Sequence, residues 1–431
     1  MVAGVRGDVY SEGMPRVLLL LPTTTYRAKA FIDAALRIGV DVVAASERPS
    51  TLEAKNPAGL LTLNFVDPEV AALQASAFAE QFTVDAVIPV DEDTAVAAAS
   101  VAKAIGLRHN SLDSVRAAKN KHRMRELLKS RGLRVPRYWH FTLDDDPAEV
   151  AARVTYPCVV KPVFLSTSRG VMRVDDEAEF VTAVERLARI LVQKETAKRG
   201  GAAAREVLAE EFIPGREVAV EGLLTNGELR VLAIFDKPDP LDGPFFEETI
   251  YVTPSRLSQQ VQTEIRETTA AGARAMGLER GPIHAELRVN DEGAWVIEIA
   301  ARAIGGLCSR ALRFEDGSSL EELILRHALG QDVASIEREP NASGVMMIPI
   351  PKAGILREVR GLESARALPG VEDVIITAHI TQEVMPPPEG ASYLGFIFSR
   401  AESPDEVEAV LREAHATLEF MIEPRMTATK N

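Results

Sequence analysis

The segment HAELRVNDEGAWVIEIAAR, residues 284–302, admits few folds. Two runs alternate apolar and polar residues on either side of Asp291-Glu292-Gly293, the pattern of an antiparallel hairpin. A three-residue loop with Gly293 left-handed pairs Asn290 with Ala294, and counting back sets Glu286 directly opposite Glu298; a four-residue loop would put them on opposite faces. Opposed like charges destabilise an antiparallel pair, since their Cβ atoms are only about 4.5–5.5 Å apart. The register therefore predicts a cation between them. Oxygen-only ligands suit Mg2+ or Mn2+, and Mg2+ typically takes one or two carboxylates with phosphate oxygens. The competing reading is a solvated face with two ordinary glutamates.

The rest of the chain has room for several units. Its 431 residues correspond to two to four domains at about 100–200 residues each. With 46% apolar and 26% charged residues it can bury a large core. The net charge of −14 argues against a duplex-binding surface, though not against a local basic pocket for phosphates, so no nucleic-acid partner is expected. Cys158 and Cys308 stand alone, without the spacing of a zinc site or a disulfide framework. The apolar run Val17 to Leu21 is too short to span a bilayer and lacks the flanks of a signal peptide, so a cytoplasmic protein without a membrane partner is expected.

After a polar leader, PRVLLLLP reads as a strand buried on both faces, followed by a helical pattern from Tyr26 to Ile38 and the strand DVVAAS. With DAVIPVDEDTAVAAASVAKAIG these alternating elements predict an open parallel sheet over about the first 115 residues. The first turn is PTTTYR, not a glycine fingerprint, which does not support dinucleotide binding. Beyond Asn120 come the helix NKHRMRELLKSRG, two strands joined by a Ser/Thr/Gly loop in YPCVVKPVFLSTSRGVMRV, and the helix EAEFVTAVERLARIL. ETAKRGGAAARE, residues 195–206, reads as a mobile connection, and TNG as a hairpin turn. VMMIPIP, VEDVIIT and YLGFIFS are strand-like, and SPDEVEAVLREAHATLEFMI reads as one closing amphipathic helix with Val407, Val410, Leu411, Ala414 and Leu418 on a face.

Two further signals concern phosphates and nucleotides. Lys161 ends an apolar run and precedes LSTSRG, a setting in which an ammonium and flexible hydroxyl and N–H donors bind phosphate; an ordinary strand-end lysine is the bland alternative. EEFIPGREVAVEG places Glu210 and Glu211 at one strand end and Glu217 at the start of the next, beside an apolar groove suited to a purine edge and ribose hydroxyls.

In their order, Lys121 in NK, Lys161 in VVKP with its loop, EEFIPGREVAVE, HAE and EIAARAIGG resemble the ATP-grasp superfamily over about residues 1–330. GILREVRGLESARALPGV and YLGFIFSRAESPDEV resemble the end domain of its carboxylate–amine ligases, the branch of L-amino acid ligases and carnosine synthase. The resemblance implies an α/β and α+β multidomain chain with an ATP-grasp fold. Its units are a Rossmann-like domain (1–118), a small (119–205) and a large (206–335) subdomain clasping ATP, and a lid-like C-terminal domain (336–431).

It also implies roles: Lys121, Lys161 and the loop residues Ser166, Ser168 and Gly170 at the ATP phosphates, Glu210, Glu211 and Ile213 at adenine, Glu217 at ribose, Glu286 and Glu298 at Mg2+ or Mn2+, and Arg302 with Gly305 and Gly306 at an acyl phosphate. By family position, 235–258, with Glu248 and Tyr251, borders the substrate pocket. Two departures stand out. Many relatives have asparagine where Ala300 stands, and glycine where Leu165 stands.

The expected function is an ADP-forming ligase that makes an amide or peptide bond through an acyl phosphate, acting on small acids and amines such as amino acids, with a homodimer as the default assembly. The alternatives are a biotin carboxylase-like or purine-pathway ligase, and a nucleotide-binding regulatory protein without turnover. The chain has no lysine in a biotin-attachment context, which counts against self-carried biotin.

Overall fold

The computed structural model describes residues 13–425, so most of the polar leader lies outside the described residues. Arg16–Leu20 is the centre of a four-stranded parallel sheet flanked by Asp41–Ser46, then Leu60–Thr62, on one side and by Ala86–Pro89 on the other. Its unbroken apolar sequence follows from covering both faces. Val17 and Leu19 pack with Phe31 of the helix Ala28–Arg37, while Leu18 and Leu20 pack with Ala71, Ala75 and Phe78 of the helix Pro68–Ala79.

A second sheet, antiparallel, orders Tyr138–Thr142, Glu206–Glu211, Cys158–Pro162 and Met172–Val174. The helix Glu177–Leu191 covers one face through Phe180, Val184, Leu187 and Leu191, at helical spacing. The segment read as a mobile connection is instead helical, Lys194–Gly200 running into a tight turn Gly201–Arg205; there Gly200 approaches the Phe164 ring so closely that an added Cβ would lie 2.4 Å from it. Its glycine content reflects packing as well as freedom.

The third sheet has eight antiparallel strands, in order Gly293–Ala300, Gly281–Asn290, Arg216–Thr225, Glu228–Lys237, Ile250–Thr253, Ala342–Ile348, Gly395–Ala401 and Val371–Ile376. Asn226 and Gly227, both with positive φ, make the two-residue turn in TNG. The sheet runs unbroken past residue 335, because Ile250–Thr253 pairs with Ala342–Ile348. The closing amphipathic segment is not one helix. Pro404–Ala416 is helical, with Val407, Leu411 and Ala414 buried, and Glu419–Glu423 turns back as a strand against Gly354–Arg360.

The hairpin carrying the two glutamates differs in detail from its expected form. Asn290 pairs with Gly293 rather than Ala294, so the turn has two residues, Asp291 and Glu292. A bulge at Ile297 then shifts the register by one, and Glu286 pairs directly with Glu298 after all.

Candidate active site

One cavity lies between the small sheet, the eight-stranded sheet and the parallel sheet's loops, enclosing about 1390 Å³ of space free of atoms, mouth included. Lys121, Lys161, Ser166, Ser168, Glu210, Glu211, Ile213, Glu217, Glu286, Glu298, Arg302, Gly305 and Gly306 all line it; Gly170 does not. The Gly170 N–H is taken by the Pro388 carbonyl at 2.8 Å, and a Cβ there would lie 2.7 Å from Leu187, so this glycine serves packing.

The lysines are held by carboxylates. Lys161, projecting from its strand into a buried site, ion-pairs with Glu210, which also receives Arg125 Nε at 2.7 Å. Burial pushes the Lys161 pKa down, against the pull of Glu210 and with a push from Arg125. Glu210 itself stays below the usual carboxylate range, because the two cations outweigh its burial. Its side chain is therefore committed to these cations, and Glu211, Phe212, Ile213 and the apolar Val159 border the cavity beside it.

Lys121, at the first turn of the helix Lys121–Ser130, donates to the Leu165 carbonyl at 2.8 Å and sits 3.0 Å from Glu298. Burial opposes its charge, yet Glu298 and Glu92 hold its pKa above the ordinary lysine value. Leu165, where many relatives have glycine, is a core side chain whose carbonyl anchors this lysine. The loop after it turns through left-handed Thr167 and Ser168, and Arg169 donates to the Glu389 carbonyl at 2.9 Å.

Glu286 has its own cations. Lys237 Nζ lies 3.3 Å away and His284 Nε2 3.4 Å away, and together they outweigh burial and draw the Glu286 pKa well below the usual range. Lys237 also contacts Glu248 and, at 2.8 Å, Glu217. Glu217, expected at ribose, thus has one oxygen on Lys237 and the other 3.0 Å from Arg288 Nε. Oxygens of Glu217, Glu248 and Glu286 fall within 4.8 Å of one another, a cluster able to hold a divalent ion. Burial, then the neighbouring Glu286, raises the Glu248 pKa to about 7. Lys237 was not singled out in the sequence; a strand-end lysine in FDKP gives no signal apart from its proximity to Glu248.

Glu92 was also missed. It follows the parallel strand Ala86–Pro89 and lies 3.6 Å from Arg302 Nη2; burial raises its pKa despite that arginine. The available signal was its place after the carboxyl end of a parallel strand, where open α/β sheets bind ligands. Arg302 also donates to the Ala303 carbonyl at 3.0 Å, and a Cβ on Gly305 would meet nothing nearer than Arg302 Nη1 at 4.0 Å. Gly306 is different: its φ is +60°, and a Cβ would lie 3.1 Å from the Phe396 ring. Tyr251, Tyr393 and Phe396 supply an aromatic wall beside Glu248.

Residues 154–311 match the family model of the ATP-grasp domain, and residues 346–423 that of L-amino acid ligase C-terminal domain 2. An ATP-grasp domain and a C-terminal domain of the L-amino acid ligase type thus follow one another in this chain. The crystal structure of an L-amino acid ligase from Bacillus licheniformis resembles this chain with a TM-score of 0.81 and 26% identity, over 96% of this chain and 100% of that one. An uncharacterized Sinorhizobium fredii protein is 21% identical over 416 residues, 96% of this chain and 84% of its own. Alanine–anticapsin ligase of Bacillus amyloliquefaciens is 27% identical over 259 residues, 57% of this chain and 54% of that enzyme. The chain thus spans about half the length of that ligase. Among the described residues, no helix is long and apolar enough to cross a membrane.

Proposed function

We propose that this ATP-grasp chain is an ATP-dependent ligase that joins the carboxylate of one amino acid to the amine of another, releasing ADP and phosphate. The observation that carries the reading is the convergence of two buried lysines, the opposed Glu286 and Glu298, and Arg302 on one cavity. The substrate carboxylate oxygen attacks the γ-phosphorus of ATP, the bond to the β-phosphate oxygen breaks, and ADP leaves. The amine nitrogen then attacks the acyl carbon, and the carbon–oxygen bond to phosphate breaks.

Lys121 and Lys161 hold the ATP phosphates, and Ser166 to Ser168 cover them with hydroxyl and N–H donors. The Glu211–Ile213 backbone receives the adenine edge. Arg302, fixed by Glu92, and the backbone at Gly305 and Gly306 stabilise charge on the acyl phosphate and its tetrahedral successor. Glu248, with a pKa of about 7, takes the proton lost by the attacking amine. The aromatic wall excludes water from the acyl phosphate, which water would otherwise hydrolyse.

Glu286 and Glu298 would hold Mg2+ or Mn2+ through oxygen-only donors, with no donor from Ala300; the carboxylate oxygens gathered within 4.8 Å are those of Glu217, Glu248 and Glu286, while Glu298 pairs with Lys121. A divalent ion bound there supplies charge neutralisation on the transferring phosphoryl group.

A second reading, a nucleotide-binding protein without turnover, rests on Ala300 in place of a ligand. Phosphate release from ATP and Mg2+, measured with the twenty amino acids singly and in pairs, separates the two. Amino-acid-dependent phosphate with an amide product is expected; nucleotide binding without phosphate release under every condition would overturn the ligase reading.

A further inference from the structure

His122, His140 and Glu206 meet outside the cavity, from three elements: the helix Lys121–Ser130, the middle of the strand Tyr138–Thr142, and the start of the strand Glu206–Glu211. One ligand atom from each lies within 4.8 Å of the others. The imidazole rings stack with centroids 4.0 Å apart and planes 6° apart, and Glu206 Oε2 sits 3.2 Å from His140 Nε2. Glu126, one helical turn beyond His122, brings a fourth donor to 3.8 Å from His122 Nε2. None of the four lines the cavity. Yet the cluster is close to it in the fold. His140 pairs with Leu208 and Leu208 with Lys161, so His140 stands on the same sheet face as Lys161, two strand spacings or about 9–10 Å away.

We propose that His122, His140 and Glu206, with Glu126 in reach as a fourth ligand, form a binding site for a borderline divalent metal of the Zn2+ or Co2+ class. Two nitrogens and one or two carboxylates are the donor set such ions take, whereas Mg2+ prefers oxygen alone. Bonds of 2.0–2.1 Å in a tetrahedron space donor atoms by about 3.3 Å, so the present separations close by side-chain rotation. Because the rings are parallel, a shared ion requires one of them to turn about its Cβ–Cγ bond, and the exposed His140 has room to do so. Occupancy ties the helix that begins with Lys121 to the sheet that carries Lys161.

The test uses the metal-stripped full chain with Mg2+ in millimolar excess to occupy the cavity carboxylates. Co2+ is followed by visible absorption and Zn2+ by calorimetry, for the parent, His140→Ala and Glu206→Gln, each checked for folding by circular dichroism. The parent should bind one equivalent, show the intense bands of four-coordinate Co2+, and melt at a higher temperature with Zn2+. Both variants should bind at least about tenfold more weakly and lose the melting shift. No binding by the parent, or the same affinity and stoichiometry in both variants, would overturn the proposal.

Discussion

Glu286 faces Glu298 across their hairpin because Ile297 is bulged out of the ladder between them. The bulge has a fixed partner. Arg125, fully buried on the helix Lys121–Ser130, donates from Nη2 to the Ile297 carbonyl at 2.6 Å, and the same Nε/Nη2 edge pairs with Glu210. One arginine thus ties the hairpin of the paired carboxylates to the carboxylate that holds Lys161.

Replacing that arginine should damage both ends at once. Arg125→Met leaves the bulged carbonyl unpaired and Glu210 with Lys161 alone, and breaking a buried pair typically costs about 3–5 kcal/mol. Urea unfolding should show a loss in that range, together with weaker nucleotide binding. A variant as stable as the parent would mean that the bulge is held by other contacts.

For Glu298→Gln the structure alters the expectation from register alone. Two opposed and uncompensated anions would make removal of one stabilising, but Glu298 already pairs with Lys121 at 3.0 Å and Glu286 with Lys237 at 3.3 Å. The variant should therefore melt at or below the parent temperature without Mg2+–ATP, respond less to Mg2+–ATP, and lose roughly 100-fold or more in turnover. Melting curves and phosphate release on the same preparation check it; near-normal turnover would return Glu298 to an ordinary solvated face.

Lys161→Met removes an ammonium while keeping most of the apolar stem. Arg125 still neutralises Glu210, so the fold should hold, whereas loss of a charged hydrogen bond to phosphate should weaken ATP by roughly 10- to 100-fold. Calorimetric titration with ATP measures this directly. Unchanged affinity would remove Lys161 from the nucleotide site.

Stability should fall as pH rises from about 5 to above 9. Burial, then Glu286, lifts Glu248 from 4.5 to about 7, so its contribution is complete below 4.5 and lost as pH climbs through 7. Burial disfavours the His284 cation, but the hydrogen bonds it donates to Glu221 and Glu286 outweigh it and raise the pKa from 6.5 to about 9, so that contribution is complete below 6.5 and lost through 9. Glu286, drawn well below 4.5, weakens the fold only in acid. Melting temperature against pH should show the decline, and Glu248→Gln should remove its lower step; a parent that gains stability from pH 5 to 9 would contradict both assignments.

Much of this was legible in the chain because local pattern and fold agree there. RVLLL is apolar throughout since both faces of its strand are covered, and the alternation around Glu286 and Glu298 marks a hairpin whatever its turn. A three-residue loop and a two-residue turn plus one bulge give the same pairing of the glutamates, so the register was readable although the bulge was not. A bulge leaves no side-chain signature, and the arginine that satisfies it stands 172 residues earlier. The same limit hid Glu92 and Lys237, whose roles come from Arg302 and from three carboxylates that only tertiary structure brings near. Residues 195–206 misled for another reason: glycine and alanine read as freedom, while Gly200 is there to admit the Phe164 ring.

The central claim, acyl phosphate chemistry, is tested most directly by the fate of oxygen. An amino acid that supports turnover, labelled with 18O in its carboxylate, is incubated with the protein, Mg2+, ATP and an amine acceptor, and the phosphate products are read by 31P NMR. Passage through an acyl phosphate predicts one 18O in the released inorganic phosphate, with ADP as the spent nucleotide. Label recovered in AMP, or unlabelled phosphate from an enzyme that is making the amide, would contradict it.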